Sequence, residues 1–307
     1  MKRLFLLLLL SLPAAAAPVI TSISATSGPA AGSVVTISGS GFAGCAICSP
    51  PQPAQVVFGG VYVRTYVAYD ADKTLTVVVP PHLPGTVDVT VIAYDGQVTL
   101  EDAFTFTGSV DDAFERVLLP ILTLPTPGQF GSSFETSLLL SNEAQFVRAY
   151  IYGLIPPCRG ISGCIVFDPH EHPVELKPQE QSDFFETDGT PGRFIYVAKP
   201  VAPTLAANLR VFDASRGANN FGTEIPLVRK SEFRTRIGLL GVPRDPRFRN
   251  TLRIYAASPI AATVRVGKET HVVQLDAAEN LFDPAYGVFS LFPAGTETVD
   301  VVIDAAE

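Results

Sequence analysis

From Val34 to Val91 the sequence returns, at short intervals, to runs in which every second residue is apolar. In Thr74-Leu-Thr-Val-Val-Val79 the side chains of Leu75, Val77 and Val79 share one face. In Val87-Asp-Val-Thr-Val91 the valines point one way and Asp88 and Thr90 the other. A side-chain period of two belongs to a strand with one face on a core and one in water. The breaks between runs use residues that turn or stop strands. Gly59-Gly60 and Asp95-Gly96 tolerate the positive φ of tight hairpins, and Pro80-Pro81 cannot donate to a ladder. No window of the chain sustains a 3.6-residue apolar period. Trp is absent, and 24 Gly and 26 Pro punctuate the runs. This is an all-β chain, and short strands at this spacing build β-sandwiches.

Read in order, Pro18-Val-Ile-Thr-Ser-Ile-Ser, Thr26-Ser-Gly-Pro, Val34-Val-Thr-Ile-Ser-Gly-Ser-Gly-Phe42, Val56-Val-Phe-Gly-Gly60, Thr76-Val-Val-Val-Pro-Pro81, Gly85-Thr-Val-Asp-Val-Thr-Val91 and Phe104-Thr-Phe106 form one pattern. It resembles the IPT/TIG family of immunoglobulin-like domains, over residues 18–108. The resemblance implies a recognition or spacer module without catalysis. One departure is a Pro-rich insertion between Phe42 and Val56 that carries Cys45 and Cys48. In an exported chain, Cys45–Cys48 reads as a small structural disulfide. A ring this short stabilises by only about 2 kcal/mol. A four-cysteine metal site with Cys158 and Cys164 is the alternative, though the spacing of the second pair is not that of a zinc knuckle.

The first sixteen residues read as a signal peptide. Lys2 and Arg3 precede an apolar run from Leu4 to Leu12, and Ala14-Ala-Ala-Ala17 offers a small-residue cleavage site, placed after Ala16. That run is too short to span a bilayer, and no later run is long enough. The mature chain is expected to be secreted, periplasmic or at a bacterial cell surface, with no stable membrane insertion. Formal net charge is −8, with scattered acids and no basic run. A cationic face for nucleic acid is therefore not expected.

Beyond a short acidic linker at 108–113, an internal repeat emerges. Residues 134–153 align without a gap to 248–267, matching Phe134 to Phe248, Leu138 to Leu252 and Gly153 to Gly267. Leu176-Lys-Pro-Gln-Glu180 then matches Leu275-Asp-Ala-Ala-Glu279, and Arg210-Val-Phe-Asp-Ala214 matches Val301-Val-Ile-Asp-Ala305. Order is preserved while the offset shrinks. This predicts tandem β-sandwiches, two copies of one domain at residues 112–230 and 231–307. The first copy carries an insertion at 154–173, with Cys158–Cys164 as a second disulfide. The second copy stops where the first continues into the hairpin Phe221–Val228. It is expected to be incomplete, with an edge near Ile303 open to a partner strand.

The candidates for chemistry are few. His170 and His172 share a face in an extended segment and, with Asp168 or Glu171, could hold zinc or copper. Pro169 and Pro173 bracket them, and a solvated loop is the plainer reading. Asp70 and Asp72 lack the further ligands of a calcium loop. Thr36-Ile-Ser-Gly-Ser-Gly-Phe42 misses the frame of a serine-hydrolase elbow. Cations are densest from Arg229 to Arg253, as solvent faces of strands or as a patch for an acidic partner. No cofactor is implied. The expected role is a non-enzymatic binding or scaffold protein, in adhesion or protein–protein contact at the cell surface. A carbohydrate-binding accessory protein is the first alternative, and a metal-dependent hydrolase using His170 and His172 the second. Partners would be a surface protein or a polysaccharide.

Overall fold

The structure is a computed structural model that describes residues 17–44, 53–70, 73–120, 125–154, 172–184, 192–219, 222–245, 250–277 and 280–305. The signal segment, all four cysteines, His170, Asp72 and most of the 154–173 insertion lie outside the described residues. The chain divides into two compact units, residues 1–113 and 114–307.

The first unit holds β1 (Val19–Ile23), β2 (Ser27–Pro29), β3 (Val34–Ser40), β4 (Gln55–Phe58), β5 (Val61–Tyr62), β6 (Thr65–Asp70), β7 (Thr74–Val78), β8 (Gly85–Ala93) and β9 (Gly96–Thr107). One sheet has the order β1-β3-β7-β6 and the other β2-β9-β8-β4-β5. Their inner faces enclose one core. Val35, Ile37, Leu75 and Val77 come from the first sheet; Val56, Phe58, Val89, Val91, Phe104 and Phe106 come from the second. This is the sandwich that the alternation predicts, with Val87, Val89 and Val91 buried and Asp88 outside. Gly59 and Gly60 both take positive φ in the β4–β5 hairpin. At the β8–β9 hairpin the loop is instead Tyr94-Asp95, and Gly96 opens β9 opposite Ala93. Gly39 is required by a close approach: a Cβ there would sit 1.9 Å from the Val19 carbonyl oxygen. The expected linker contains one helical turn, α1 (Val110–Ala113), whose Asp112 carboxylate accepts from the Ser109 amide at 3.1 Å.

The second unit begins with β10 (Phe114–Leu119), β11 (Thr126–Pro127), β12 (Ser133–Asn142), β13 (Ala149–Tyr152), β14 (Val174–Leu176), β15 (Gln181–Phe184), β16 (Arg193–Ala198), β17 (Leu205–Asp213), β18 (Thr223–Ile225) and β19 (Val228–Arg229). They form one sheet of order β14-β13-β16-β10-β19 and another of order β11-β12-β17-β18, with β15 on β12. Leu138, Leu140 and Leu209 of one sheet meet Val117, Ile151, Ile195 and Val197 of the other. There follow β20 (Arg236–Pro243), β21 (Leu252–Ala256), β22 (Ile260–Val266), β23 (Glu269–Leu275), β24 (Ala285–Phe289) and β25 (Thr298–Ala305). Here the sheets are β20-β25-β22-β23 and the pair β21-β24.

The two sandwiches of this unit share part of their strand order. β13 pairs with β14 and β16, and β16 with β10; β22 pairs with β23 and β25, and β25 with β20. Leu138 and Leu140 of β12 face their core as Leu252 and Ile254 of β21 face theirs. The third sequence match fails. Arg210–Ala214 runs along β17, which pairs with β12, whereas Val301–Ala305 lies in β25, which takes the place of β16. Period-two alternation of apolar and polar residues makes any two strands look alike over five positions. Among the described residues no strand of the second copy takes the places of β17, β18 and β19. The open edge is also not where the sequence puts it. β25 is paired on both sides, and the exposed edge strand is β20.

Strand β16 is buried along its whole length, and β13 likewise, because each packs on both faces. The core takes Ile195 and Val197. On the other face Tyr196 meets Phe282 edge-on at 5.7 Å, and its hydroxyl donates to the Leu281 carbonyl at 2.7 Å. Phe194 donates its amide to the Phe282 carbonyl at 2.6 Å, and Arg116 lies over the Phe194 and Tyr196 rings while donating to the Ala257 carbonyl. The two sandwiches of this unit are joined through that aromatic seam.

Candidate functional site

A groove of about 810 Å³ opens at one end of the first sandwich of the second unit. Its floor continues the core outward. Along β12, Phe134 lies on the face that carries Leu138 and Leu140. Along β17, Val211 and Asp213 follow Leu209, and Thr223 and Ile225 of β18 complete the wall. The β11–β12 hairpin forms the rim. Thr126 pairs with Phe134 and Pro127 with Ser133, so Gly128–Ser132 is the loop, closed by the Gly128 amide on the Ser132 carbonyl at 2.8 Å. A Cβ at Gly128 would meet Ser132 Oγ at 2.2 Å and the Phe134 ring at 2.7 Å, so a side chain there would displace both.

At the loop's apex Phe130 has φ 57 and ψ 29, and its ring is wholly exposed. Left-handed backbone at a bulky aromatic residue costs of order 1–3 kcal/mol and concentrates at functional positions. Phe134 is 42% exposed beside it.

Asp213 stands beside Phe134, as its register partner on β17. Its Oδ1 accepts from the Ser133 amide at 2.8 Å, the Ser215 amide at 3.2 Å and the Ser215 hydroxyl at 2.7 Å; its Oδ2 accepts from Arg216 Nε at 3.1 Å. These donors hold the Asp213 carboxyl below its usual 3.8, the Ser215 hydroxyl bond being the largest cause. The Arg216 side chain is anchored at Nε yet 77% exposed. The groove thus combines ring faces, hydroxyls of Ser132, Ser215 and Thr223, and one charge-compensated pair.

The sequence-predicted residues lie elsewhere. His172 is half-buried just before β14, and its companion His170 is outside the described residues. Among the described residues no three His, Cys, Asp or Glu side chains are grouped as metal ligands. Three cations of the 229–253 stretch have partners of their own. Arg229 pairs with Glu115 at 2.5 Å, Arg236 with Asp304 at 3.4 Å, and Arg244 donates to the Pro293 carbonyl at 2.9 Å. Arg247 and Arg249 are outside the described residues. Sequence reading passes over the groove residues. The one available signal is Gly128-Gln-Phe-Gly131, an aromatic residue isolated between two glycines. Among the described residues no helix is long and apolar enough to cross a membrane.

No curated protein matches the sequence. Among solved structures, the chain is similar to a γ-CGTase from alkalophilic Bacillus clarkii, at 19% identity and a TM-score of 0.25, over 71% of this chain and 26% of that one. It thus spans about a quarter of that protein's length. It is also similar to SGBP-B from a complex xyloglucan utilization locus in Bacteroides uniformis, at 13% identity and a TM-score of 0.24, over 69% of this chain and 71% of that one. Residues 18–107 match the IPT/TIG domain family, in the same segment that forms the sandwich of β1 to β9. The first unit is therefore built around an IPT/TIG domain.

Proposed function

We propose that this is an exported, non-catalytic binding protein whose recognition surface is the groove of β12, β17 and β18. The observation that carries this reading is the rim: Phe130, on a loop that holds unfavourable backbone, and Phe134, at the start of β12, both present apolar rings to solvent. Exposed aromatic residues beside polar groups are the usual makings of a recognition surface. Asp213 supports binding over chemistry. Four donors and a lowered pKa keep it ionised at neutral pH, and those donors hold its lone pairs, which suits an anchor more than an acid or base. The basic and apolar segment of residues 1–16 sets export, to the bacterial surface or periplasm. Adhesion or protein–protein contact there is the role that follows, with the IPT/TIG domain as spacer.

Binding to isolated cell envelopes tests this reading. The full chain should bind saturably, and Phe130→Ala with Phe134→Ala should weaken binding at least tenfold at unchanged thermal midpoint. Equal binding by the double variant would place recognition elsewhere.

A further inference from the structure

We propose that the groove takes a neutral carbohydrate chain, an inference that rests on its being the recognition surface. Three properties of the lining point to this class. The first is charge. Among the described lining residues, Asp213 and Arg216 are the charged ones, and they compensate each other through the Nε–Oδ2 bond at 3.1 Å. A polyanion or polycation gains little from such a surface, whereas a ligand of uncharged hydroxyls loses nothing to repulsion. The second is the donor set. The guanidinium carries five N–H donors in a fixed fork. Asp213 holds it by Nε while the side chain stays 77% exposed, so its outer N–H groups can serve neighbouring hydroxyls. Thr223 adds a hydroxyl that both donates and accepts, and Ser215, whose proton goes to Asp213, can still accept. The third is the pair of phenylalanines. A ring face carries partial negative charge and attracts polarised C–H groups, and a sugar ring offers a face of such C–H groups between its hydroxyls. Phe130 and Phe134 line the same groove as the polar groups, and Phe134 is the register partner of Asp213. The volume of about 810 Å³ lies within the roughly 300–1,000 Å³ of small-ligand sites, and the groove is open at its rim, as a polymer requires.

Native affinity electrophoresis of the full chain provides the test, with gels containing a soluble β-glucan, α-glucan or galactomannan, and a polyuronate for comparison. At least one neutral polysaccharide should retard the wild type. Phe134→Ala should weaken that retardation at least tenfold and Arg216→Met about fivefold, both with the wild-type thermal midpoint. If Phe134→Ala fails to fold, Phe130→Ala, which removes a fully exposed ring, takes its place. Absence of retardation by every neutral polysaccharide, or retardation by the polyuronate alone, overturns the ligand class; the envelope-binding comparison then still decides whether the groove recognises anything. Retardation that the variants keep in full overturns the groove itself as the site.

Discussion

The two sandwiches of the second unit share a strand order but differ in what covers it. In the first, β10 lies between β16 and β19 and is largely buried. In the second, β20 holds the same place against β25 but has no outer neighbour among the described residues, and all of it except Val242 is exposed. The other sheet differs more: five strands in the first copy, the pair β21–β24 in the second. The groove exists because of this surplus. Its walls include β17 and β18, the strands that have no counterpart in the second sandwich among the described residues. The groove belongs to the first sandwich, and the second packs against that sandwich at the Tyr196–Phe282 contact.

The sharpest way to break this comparison is at the seam. Phe282 belongs to the second copy, is 2% exposed, and receives both the Tyr196 ring and the Phe194 amide of the first. Gly153 also leaves it room, since a Cβ there would come within 2.8 Å of the ring. Phe282→Ala should cost about 3–5 kcal/mol in denaturant-induced unfolding of the second unit. A loss under about 1 kcal/mol would mean that the two sandwiches are stable independently.

A smaller effect separates the copies internally. Asn142 is fully buried at the end of β12. Its Nδ2 donates to the carbonyls of Val147, Leu176 and Lys177, and its Oδ1 accepts from the Ala144 amide. The aligned position in the second copy is Ala256. There β21 ends without such a polar hub, and a shorter connection leads to β22. Asn142→Ala should cost about 2–3 kcal/mol, because it leaves buried carbonyls without donors. Urea unfolding measures this, and a neutral outcome would show that the longer connection of the first copy needs no polar anchor.

The third prediction concerns acid. Asp213 has its folded pKa depressed below the usual 3.8, so its contribution is fully present above that value and is lost as pH falls through the lower folded one. Asp213→Asn should therefore lower the thermal midpoint at neutral pH and flatten its decline below pH 3.8. A variant whose midpoint falls in parallel with the wild type across that range would deny Asp213 its anchoring role.

Much of the fold is legible in the residues. The alternation of Leu75, Val77 and Val79 gives β7 and its buried face directly, and Leu138/Leu252 mark equivalent strands. The failures have physical causes. Arg210–Ala214 resembles Val301–Ala305 because both are strands with one face inward, while sheet membership is decided by pairing partners far along the chain. The site is less legible than the fold. Asp213 reads as one acid among 30 Asp and Glu, and only the meeting of β12 with β17 brings the Ser133 amide to it. His170 and His172 attract notice because they are neighbours in sequence, whereas the groove gathers residues as far apart as Phe130 and Ile225.

The smallest expected effect tests the exposed edge. β20 presents Ile237, Leu239 and Leu240, the last 83% exposed, along a strand without an outer partner among the described residues. Such an edge invites pairing with another chain unless something interrupts it. Here the register against β25 shifts between Leu239 and Val242; Gly241 takes φ 65 there, and its amide donates to Asp300 Oδ1 at 2.9 Å. A bulge of this kind twists a strand and spoils its outer edge as a template. If it protects the edge, Leu240→Lys should change stability by less than about 0.5 kcal/mol, as exposed substitutions do, and leave the sedimentation coefficient unchanged at high concentration. Asp300→Ala, which frees the bulge, should then raise self-association. If Leu240→Lys instead dissolves an oligomer present in the wild type, the edge is already occupied by a second copy, and β20 resembles β10 in being covered after all.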